Sequence, residues 1–321
     1  MHIDYSVIIR TTGKAKEKYA GLLSSISALD PQPKEIIVVL PEGYALPEEQ
    51  LGGETFYFCP KGMVIQRMIG IQKCRTPYAL ICDDDVQFGP DFVQKLHDPL
   101  EKGMGGLSIA PLYSFLPQKG LRTVVDVVLG SGIPTVFHKD RYCSVLRTTG
   151  YSYNRKLDAN KKYYTTQSAA WTCFYADINA LRSIDFEDEQ VWLDAHGYSA
   201  LDDQTMFYKA WLRGIKTIVV ADAFYEHLDA RTSTRERREP VLFSRTFNRI
   251  VFWHRYIYLQ EKRLFGKAWA KVCFAYYQTI NDIYALFRRI PSTETEIKRR
   301  ARAEAKKYIL SNAYRDLPPV K

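Results

Sequence analysis

Three consecutive aspartates, Asp83, Asp84 and Asp85, directly follow the apolar run "YALIC". Adjacent carboxylates repel one another, and a carboxylate is costly to leave without water or a partner. The position therefore allows two interpretations, a solvated acidic turn or a site that holds a positive charge. Because alternate residues of an extended segment point the same way, Asp83 and Asp85 could together reach one Mg²⁺ or Mn²⁺ ion.

A second acidic pair, Asp202 and Asp203, begins the helical pattern "DDQTMFYKAWLRG", which stops at Gly214. Carboxylates commonly stabilise a helix start because they interact favourably with the helix dipole. A carboxylate can also act as a general base that removes a proton from a reacting hydroxyl group. The local pattern is compatible with both roles.

The elements around these acids alternate between strands and helices. Apolar runs at residues 5–10, 35–40, 55–60 and 77–82 predict four strands, and helical patterns occupy 18–29 and 62–74. Continuous apolar strands alternating with helices indicate a parallel α/β sheet, in which ligands bind beyond the carboxyl ends of the strands. The three aspartates lie at such an end.

The remaining chain up to residue 241 continues this pattern with one interruption. Strands are predicted at 105–113 and 216–221, helices at 91–100 and 200–214, and a strand leading into a helix over 168–184. Residues 114–167 show no sustained period, and we interpret them as an elaboration over the cleft. From about residue 242 the sequence changes to long helical stretches rich in Arg, Lys and aromatic residues.

Composition and charge restrict the class of protein. The chain has 321 residues, 46% of them hydrophobic, enough for one large domain with an appendage. Residues 231–321 carry 21 basic and 8 acidic side chains, whereas residues 1–230 carry 24 and 28, so a basic tail follows a slightly acidic body. Such a tail suggests an anionic partner. No helix-turn-helix, zinc-finger or RNP pattern is present, which disfavours nucleic acid.

Cysteine usage and apolar runs indicate a reduced, cytoplasmic protein. None of the six cysteines has CxxC spacing, and most stand among apolar or aromatic residues, which predicts core thiols and not a disulfide scaffold. The first residues lack the pattern of a signal peptide, and no run of about 18 apolar residues predicts a transmembrane helix.

Several motifs together resemble those of the family 2 glycosyltransferases, which are inverting enzymes with a GT-A fold. The resemblance rests on "TTGK" after the first strand, "PEG" after the second, "KGMVIQR" at a helix start, "ALICDDDV" and "LDDQTMFYKAWLRG", and it covers about residues 5–227. It implies an α/β fold with a Rossmann-like, mixed and mostly parallel sheet flanked by helices. The catalytic domain would span residues 1–241, with a donor half to about 113 and an acceptor half from about 114. Residues 242–321 would form a basic, aromatic-rich helical extension.

The resemblance implies a nucleoside-diphosphate sugar as donor, with Mg²⁺ or Mn²⁺ neutralising the diphosphate. The implied metal ligands are Asp83, Asp85 and His227, with Asp84 directed toward the ribose or sugar. A lone histidine is more often a structural residue, so the sequence leaves that alternative open for His227. An isolated acidic run is more often a solvated turn, and only the surrounding motifs favour the metal site.

The acceptor side is implied in the same way. Asp203 would be the general base, and Asp202 would orient or contact the acceptor, a hydroxyl group of a glycan or lipid-linked saccharide in cell-surface polysaccharide synthesis. Trp171 and Thr172 match positions of acceptor or donor-sugar contacts. A tryptophan is more often packed in a core, which is the alternative for Trp171.

Further positions match the nucleotide and diphosphate contacts of the family. They are Thr11, Thr12, Gly13, Glu42, Lys61, Arg67, Arg231 and Arg235. Glu42 stands where the family more often has an aspartate pair, and Gln66 with Arg67 replaces a frequent Arg-Asn, so the donor base is left open. Solvated charged surfaces are the alternative for the lysine and for the arginines.

The basic tail has two interpretations. Residues 245–263 interleave Arg and Lys with Trp253, Tyr256 and Tyr258, which are the residue types of a membrane interface. The tail could therefore contact an anionic membrane surface and place the enzyme peripherally on the inner face of the membrane. Alternatively, the aromatic residues pack on the catalytic domain and only the basic residues face water.

The sequence also allows two rival functions to be compared with the transferase. A sugar-phosphate nucleotidyltransferase needs a Gly-rich, Arg-containing loop after the first strand, and "RTTGKAKEKYAG" does not supply one. A catalytically silent protein that binds sugar nucleotides or tethers other enzymes to a membrane is the second rival. The presence of both acidic sites favours the transferase over the silent scaffold.

Overall fold

A mixed sheet of eight strands forms the centre of the molecule. The computed structural model describes residues 3–112, 141–154, 157–158, 160–228, 238–287 and 291–321. Its strands are β1 (Tyr5–Arg10), β2 (Glu35–Pro41), β3 (Glu54–Cys59), β4 (Tyr78–Asp83), β5 (Val86–Phe88), β6 (Leu107–Ile109), β7 (Cys143–Val145), β8 (Ser152–Asn154), β9 (Tyr163–Thr166), β10 (Cys173–Asp177), β11 (Thr217–Val220) and β12 (Tyr225–His227). The order in the main sheet is β3-β2-β1-β4-β10-β6-β11-β9.

The sheet combines a parallel half with a mixed half. Strands β3, β2, β1 and β4 run parallel, β10 runs antiparallel to both β4 and β6, and β9 runs antiparallel to β11. Alternate residues of β1 belong to different cores, with Val7 and Ile9 on one face and Ile8 on the other. Strands β1, β2 and β4 are mainly apolar because both faces of the sheet are covered there, whereas the edge strand β3 is partly exposed.

Helices cover both faces and form the C-terminal extension. They are α1 (Glu17–Ser27), α2 (Met63–Lys73), α3 (Phe92–Glu101), α4 (Ile178–Arg182), α5 (Gln190–Leu193), α6 (Asp202–Leu212), α7 (Arg238–Phe252), α8 (Leu264–Phe287), α9 (Ser292–Ile309) and α10 (Asn312–Arg315). A π-helical segment, Trp253–Tyr258, continues α7. The mixed, mostly parallel sheet flanked by helices and the C-terminal helices confirm the predicted fold class.

Two sequence expectations need correction. The strand expected at residues 105–113 is only the three-residue β6, because the described chain leaves the sheet after Ile109. The stretch 114–167 is not only a cover for the cleft, since β9 pairs with β11 and forms an edge of the main sheet. Residues 114–140, 155, 156 and 159 of that stretch lie outside the described residues.

The first part of the extension packs against the catalytic part and does not face outward. Trp253 is 8% exposed, stacks on Phe274 at a ring-centroid distance of 4.3 Å, and donates a hydrogen bond from Nε1 to the carbonyl of Thr148. Tyr256 is 1% exposed and lies 6.4 Å from the ring of Tyr208 in α6. The expectation that these two aromatic residues belong to a membrane interface is therefore wrong, and the packing alternative holds for them.

A buried ionic cluster joins the extension to the catalytic part. Arg255 of the π-helical segment makes two hydrogen bonds of 2.9 Å to the carboxylate of Glu189 and one of 2.7 Å to the carbonyl of Pro318. The ammonium of Lys209 lies 3.0 Å from the same carboxylate, and both of these side chains are fully buried. Burial raises the pKa of Glu189, but Arg255 and Lys209 together hold it below its ordinary value.

We expect Arg255→Ala to lower the free energy of unfolding by about 3–5 kcal/mol, because it leaves a buried carboxylate with one cation removed. Urea denaturation of the full chain measures this loss. The matched control is Arg299→Ala, which removes an exposed pair with Glu296 and should cost less than about 1 kcal/mol. Equal losses in the two variants would contradict a structural role for the buried cluster.

The six cysteines are buried free thiols, as the sequence predicted. In the described part of the chain, no helix has both the length and the apolar composition that a membrane crossing requires.

Candidate active site

The acidic run occupies the turn between β4 and β5. Asp83 is the last residue of β4, and Asp84 and Asp85 form the turn that leads into Val86. Strand β5 then pairs with β12, with Val86 opposite His227. Because the chain turns after Asp83, the alternation expected for an extended segment does not apply, and the three carboxylates enter three different environments.

Asp83 is held by two arginines. Its Oδ1 lies 2.9 Å from Nη2 of Arg10 and 3.3 Å from Nη2 of Arg67. Arg10 pairs in register with Asp83 across the parallel strands β1 and β4. The sequence analysis missed Arg10, although two neighbouring parallel strands that each end in a charged residue were a usable signal. The carboxylate predicted as a metal ligand is thus already paired with guanidinium groups.

Arg67 connects the two acidic sites. Its Nη1 forms an ion pair with Oδ2 of Asp202, and its Nη2 contacts Asp83 and donates to the carbonyl of Trp171 at 3.1 Å. The guanidinium lies 4.6 Å from the centroid of the Trp171 ring, and only 4% of the Arg67 side chain is exposed. We call residues 83–85 the acid turn. The acid turn and the start of α6 therefore lie on opposite sides of one buried cation.

This arrangement corrects two expectations. Arg67 was predicted to contact the donor diphosphate or base, but its guanidinium is buried against two carboxylates. Trp171 was predicted as an acceptor contact, but it is 2% exposed and its ring packs against Phe174, Phe186 and Arg67. The core-packing alternative holds for Trp171. The hydroxyl of its neighbour Thr172 lies 2.7 Å from that of Tyr225.

Asp85 and His227 face each other. Oδ1 of Asp85 lies 3.3 Å from Nε2 of His227, and the carbonyl of Asp85 accepts a hydrogen bond of 2.8 Å from the backbone of Leu228. A carboxylate and an imidazole are both ligands for divalent cations. Among the described residues, no group of three His, Cys, Asp or Glu side chains is arranged to hold a metal ion. The predicted set of Asp83, Asp85 and His227 is therefore not assembled as a trio.

Asp84 belongs to the loop after β1. Its Oδ2 accepts a hydrogen bond of 2.6 Å from the Thr11 hydroxyl, which in turn accepts one of 2.9 Å from the backbone of Gly13. Gly13 has a φ of 71°, and a Cβ atom there would meet the carbonyl of Ala45 at 2.7 Å. Burial raises the pKa of Asp84 to about 6, against the opposing effects of Thr11 and Arg10.

Asp203 is the second residue of α6 and directly follows Asp202. Burial, and then the neighbouring charge of Asp202, raise its pKa to about 7. Its Oδ1 accepts a hydrogen bond of 2.6 Å from the backbone of Gln204. Burial also raises the pKa of Asp202, while Arg67 and Arg10 oppose that shift. Asp202 was expected to orient or contact the acceptor, whereas the structure pairs it with Arg67.

The remaining predicted residues lie apart from this network. Glu42 and Lys61 are exposed, at the end of β2 and just before α2. The backbone N–H groups of Val64 and Ile65 at the start of α2 donate to Asp194, which already supplies an anion there. Thr12 is half-buried in the loop after β1. Arg231 and Arg235 lie outside the described residues.

Comparisons with known proteins agree with this architecture. Residues 56–182 match the family model "Glycosyl transferase family 2". The structure of S. aureus TarS 1-349 is similar with a TM-score of 0.52 and 14% identity over 97% of this chain and 82% of that one. The structure of GalNAc-T7 with UDP, GalNAc and Mn²⁺ is similar with a TM-score of 0.54 and 12% identity, over 87% of this chain and 55% of that one. The structure of S. aureus TarS 1-349 in complex with UDP-GlcNAc is similar with a TM-score of 0.50 and 13% identity, over 97% of this chain and 83% of that one. No curated protein matches the sequence. At these identities, the structural similarities establish the fold alone.

Proposed function

We propose that the chain, whose residues 56–182 match family 2 of the glycosyltransferases, is a metal-dependent, inverting glycosyltransferase with a GT-A fold. The donor would be a nucleoside-diphosphate sugar, and the acceptor a hydroxyl group of a glycan or lipid-linked saccharide. This would be a reaction of cell-surface polysaccharide synthesis. One observation carries the proposal: the buried Arg67 joins the acid turn at Asp83 to the acidic pair at the start of α6.

The donor side is assigned to the acid turn and the loop after β1. Asp85 and His227 fit a divalent ion because they present a carboxylate oxygen and an imidazole nitrogen toward each other. When bound, such an ion supplies positive charge for the diphosphate of the donor. Asp84 and Thr11 would contact the ribose or sugar, and Asp83 would hold the turn in place through Arg10 and Arg67.

The acceptor side is assigned to Asp203. In an inverting transfer, the acceptor oxygen bonds to the anomeric carbon as the bond to the diphosphate oxygen breaks, and the acceptor proton moves to the base. Asp203 would take that proton, for which a pKa of about 7 suits a base working near neutral pH. Asp202 would act on Asp203 by its charge and on the acid turn through Arg67, and not by touching the acceptor.

We expect Asp85→Ala to abolish the Mn²⁺-dependent part of nucleotide-sugar hydrolysis. Losing a metal ligand at the diphosphate removes about 3 kcal/mol of transition-state stabilisation, or on the order of 10²-fold in rate. His227→Ala should act in the same direction. A panel of nucleotide sugars, tested first by thermal shift with Mn²⁺, selects the donor for the assay.

The matched control is Asp91→Ala, which removes a more exposed carboxylate paired with Lys95 near the same turn. It should keep the wild-type rate and the wild-type response to Mn²⁺. Equal background rates for the wild type and Asp85→Ala would support the catalytically silent scaffold instead. A wild type whose turnover is unaffected by Mn²⁺ and by EDTA would contradict metal dependence.

The extension is also part of the proposal. We infer that residues 242–321 bring the enzyme to an anionic membrane surface, where a lipid-linked acceptor would be available. Support comes from the net charge of this segment, because residues 242–321 carry 17 basic and 6 acidic side chains.

A further inference from the structure

Helix α8 exposes an apolar stripe along its outer side. Phe265, Trp269, Val272, Tyr276, Ile283 and Leu286 follow one another in steps of four and three residues, with Thr279 completing the series. Such steps place side chains on one face of a helix. Phe265 is 81% exposed, Val272 57% and Leu286 78%. We call these six residues the outer stripe.

The opposite side of α8 is already used for folding. Ala270, Cys273 and Phe274 are buried, and the ring of Phe274 stacks on Trp253 of the π-helical segment. Packing within the chain therefore explains the inner face and leaves the outer stripe in water. Large exposed apolar patches on soluble domains commonly mark a surface that binds a partner.

The charges beside the outer stripe favour an anionic partner. Lys262, Arg263, Lys267 and Lys271 stand within or just before the first two turns of α8, beside one acidic residue, Glu261, which accepts a hydrogen bond of 2.9 Å from the backbone of Arg263. The single acidic residue of the helix, Asp282, is held by two hydrogen bonds of 2.6 Å from Arg302 of α9. Four basic side chains against one carboxylate leave this end of α8 with a net positive charge next to the apolar residues.

We propose that the outer stripe is a membrane-docking face, with α8 lying in the interface of a bilayer that contains anionic lipid. Aromatic and aliphatic side chains would enter the acyl boundary, and the basic residues would contact headgroups. A helix of 24 residues presents about 36 Å of length to that surface. A second copy of the chain is the alternative occupant, and its binding would be detected as a dimer.

Docking by the outer stripe rests on the membrane contact of the proposed function and assigns that contact to α8. The sequence pointed to residues 245–263, whose Trp253 and Tyr256 are buried. The helix that follows is the one whose apolar residues remain accessible. The inference requires membrane contact, but it is independent of metal binding and of the base.

Vesicle flotation of the full chain tests the proposal. The wild type should bind vesicles of phosphatidylcholine with phosphatidylglycerol, bind pure phosphatidylcholine far less, and be released by salt. The double variant Phe265→Ser with Trp269→Ser should weaken partitioning into these vesicles at least roughly tenfold. The double variant Lys262→Gln with Arg263→Gln should weaken it by about fivefold for each residue changed. Val191→Ser, which changes an apolar residue that is 61% exposed on α5, should bind as the wild type does.

Tryptophan fluorescence gives a second, local measurement. Trp171, Trp192 and Trp253 are buried and Trp211 is half-buried, with the guanidinium of Arg141 4.7 Å from its ring centroid, whereas Trp269 is 42% exposed. Brominated anionic lipid should quench the wild type, and Trp269→Phe should lose most of this quenching while it still floats with the vesicles. Quenching that is unchanged in Trp269→Phe would overturn the assignment of α8 to the interface.

The outcomes also separate this inference from the transferase proposal. Nucleotide-sugar hydrolysis in solution should be equal in the wild type and the stripe double variant, so its loss in Asp85→Ala reports on the metal site alone. Equal flotation of the stripe variant and Val191→Ser would overturn the docking face. If the wild type formed a dimer and did not bind vesicles, and the stripe double variant was a monomer, the outer stripe would be assigned to a second copy instead.

Discussion

Asp203→Asn should lower the rate of sugar transfer by about 10²–10⁴-fold, because the asparagine amide cannot accept the proton of the acceptor hydroxyl. Hydrolysis and transfer assays with the donor found by thermal shift measure this loss. Donor affinity should change little, since the diphosphate is assigned to the acid turn and not to Asp203. An unchanged transfer rate would remove Asp203 from the role of base.

The pH dependence follows from the raised pKa of Asp203. The base must be ionised, so transfer by the wild type should rise with pH through about 7. Stability should run in the opposite direction. Below the pKa of the unfolded carboxyl, both states are protonated. Above it, the unfolded chain releases its proton first, so unfolding becomes easier as the pH rises toward about 7.

Asp203→Asn should therefore gain stability relative to the wild type as the pH rises from about 4 to 8, on the order of 2 kcal/mol at the upper end. Urea denaturation at several pH values measures the gain. Asp194→Asn is a useful contrast, because Asp194 accepts hydrogen bonds from two N–H groups at the start of α2 and should lose stability on substitution. A wild type whose transfer rate is flat between pH 5 and 8 would contradict the proposed titration.

Strands β1, β2 and β4 of the parallel half could be predicted because they are largely buried on both faces, and the partly exposed edge strand β3 could be predicted from its aromatic run. The apolar runs at 5–10, 35–40, 55–60 and 77–82 are uninterrupted and correspond to β1, β2, β3 and β4 within one residue at each end. Strand β6 could not be bounded in this way, because the apolar run of residues 107–112 extends past the three residues that pair in the sheet. Hydrophobicity marks burial, and burial continues beyond a strand.

The acidic members of the site were visible in the sequence, but their partners were not. Asp83 and Asp202 are 119 positions apart, and a local pattern carries no information about a cation placed between them. Arg67 lies in helix α2, and the spacing of apolar residues in that helix allows Arg67 to stand on either a solvated or a buried face. An arginine side chain suggests contact with an anion, but its place in the sequence does not show which anion. Only the packing of α2 against the sheet turns the guanidinium toward both carboxylates.

The same limit explains why the sequence left two interpretations of the tail open. Residues 245–263 and the outer stripe of α8 both mix basic with aromatic residues, and composition alone does not separate a face that packs from one that is exposed. The buried Glu189 decides between them, because it fixes Arg255 and with it the π-helical segment against the catalytic part. That contact is made across 66 positions of sequence and has no local signature.

Arg67→Ala should have the second large effect, on both stability and catalysis. The substitution leaves Asp202 and Asp83 buried without their shared cation, which we expect to cost about 3–5 kcal/mol of unfolding free energy at neutral pH. Arg67 opposes the burial that raises the pKa of Asp202, so the pKa of Asp202 should rise further in the variant. The stability loss should therefore shrink as the pH falls and the buried carboxylate takes up a proton.

Arg67→Lys separates charge from geometry. A lysine keeps the positive charge, but its single ammonium cannot reach Asp83, Asp202 and the carbonyl of Trp171 as the planar guanidinium does. We therefore expect partial recovery of stability with a transfer rate that remains well below the wild type. Added guanidinium ion at millimolar concentration should restore part of the activity of Arg67→Ala and none of that of Asp203→Asn.

The control for this series is Arg182→Ala. Arg182 donates to the carbonyls of Ile71 and Cys74 at 2.9 and 2.7 Å, so it holds the other end of the same helix α2 without touching a carboxylate of the site. Its loss should lower stability while the transfer rate per folded molecule stays near the wild type. If Arg67→Ala behaved in this way too, its guanidinium would only support α2, and the coupling of the two acidic sites would have to be abandoned.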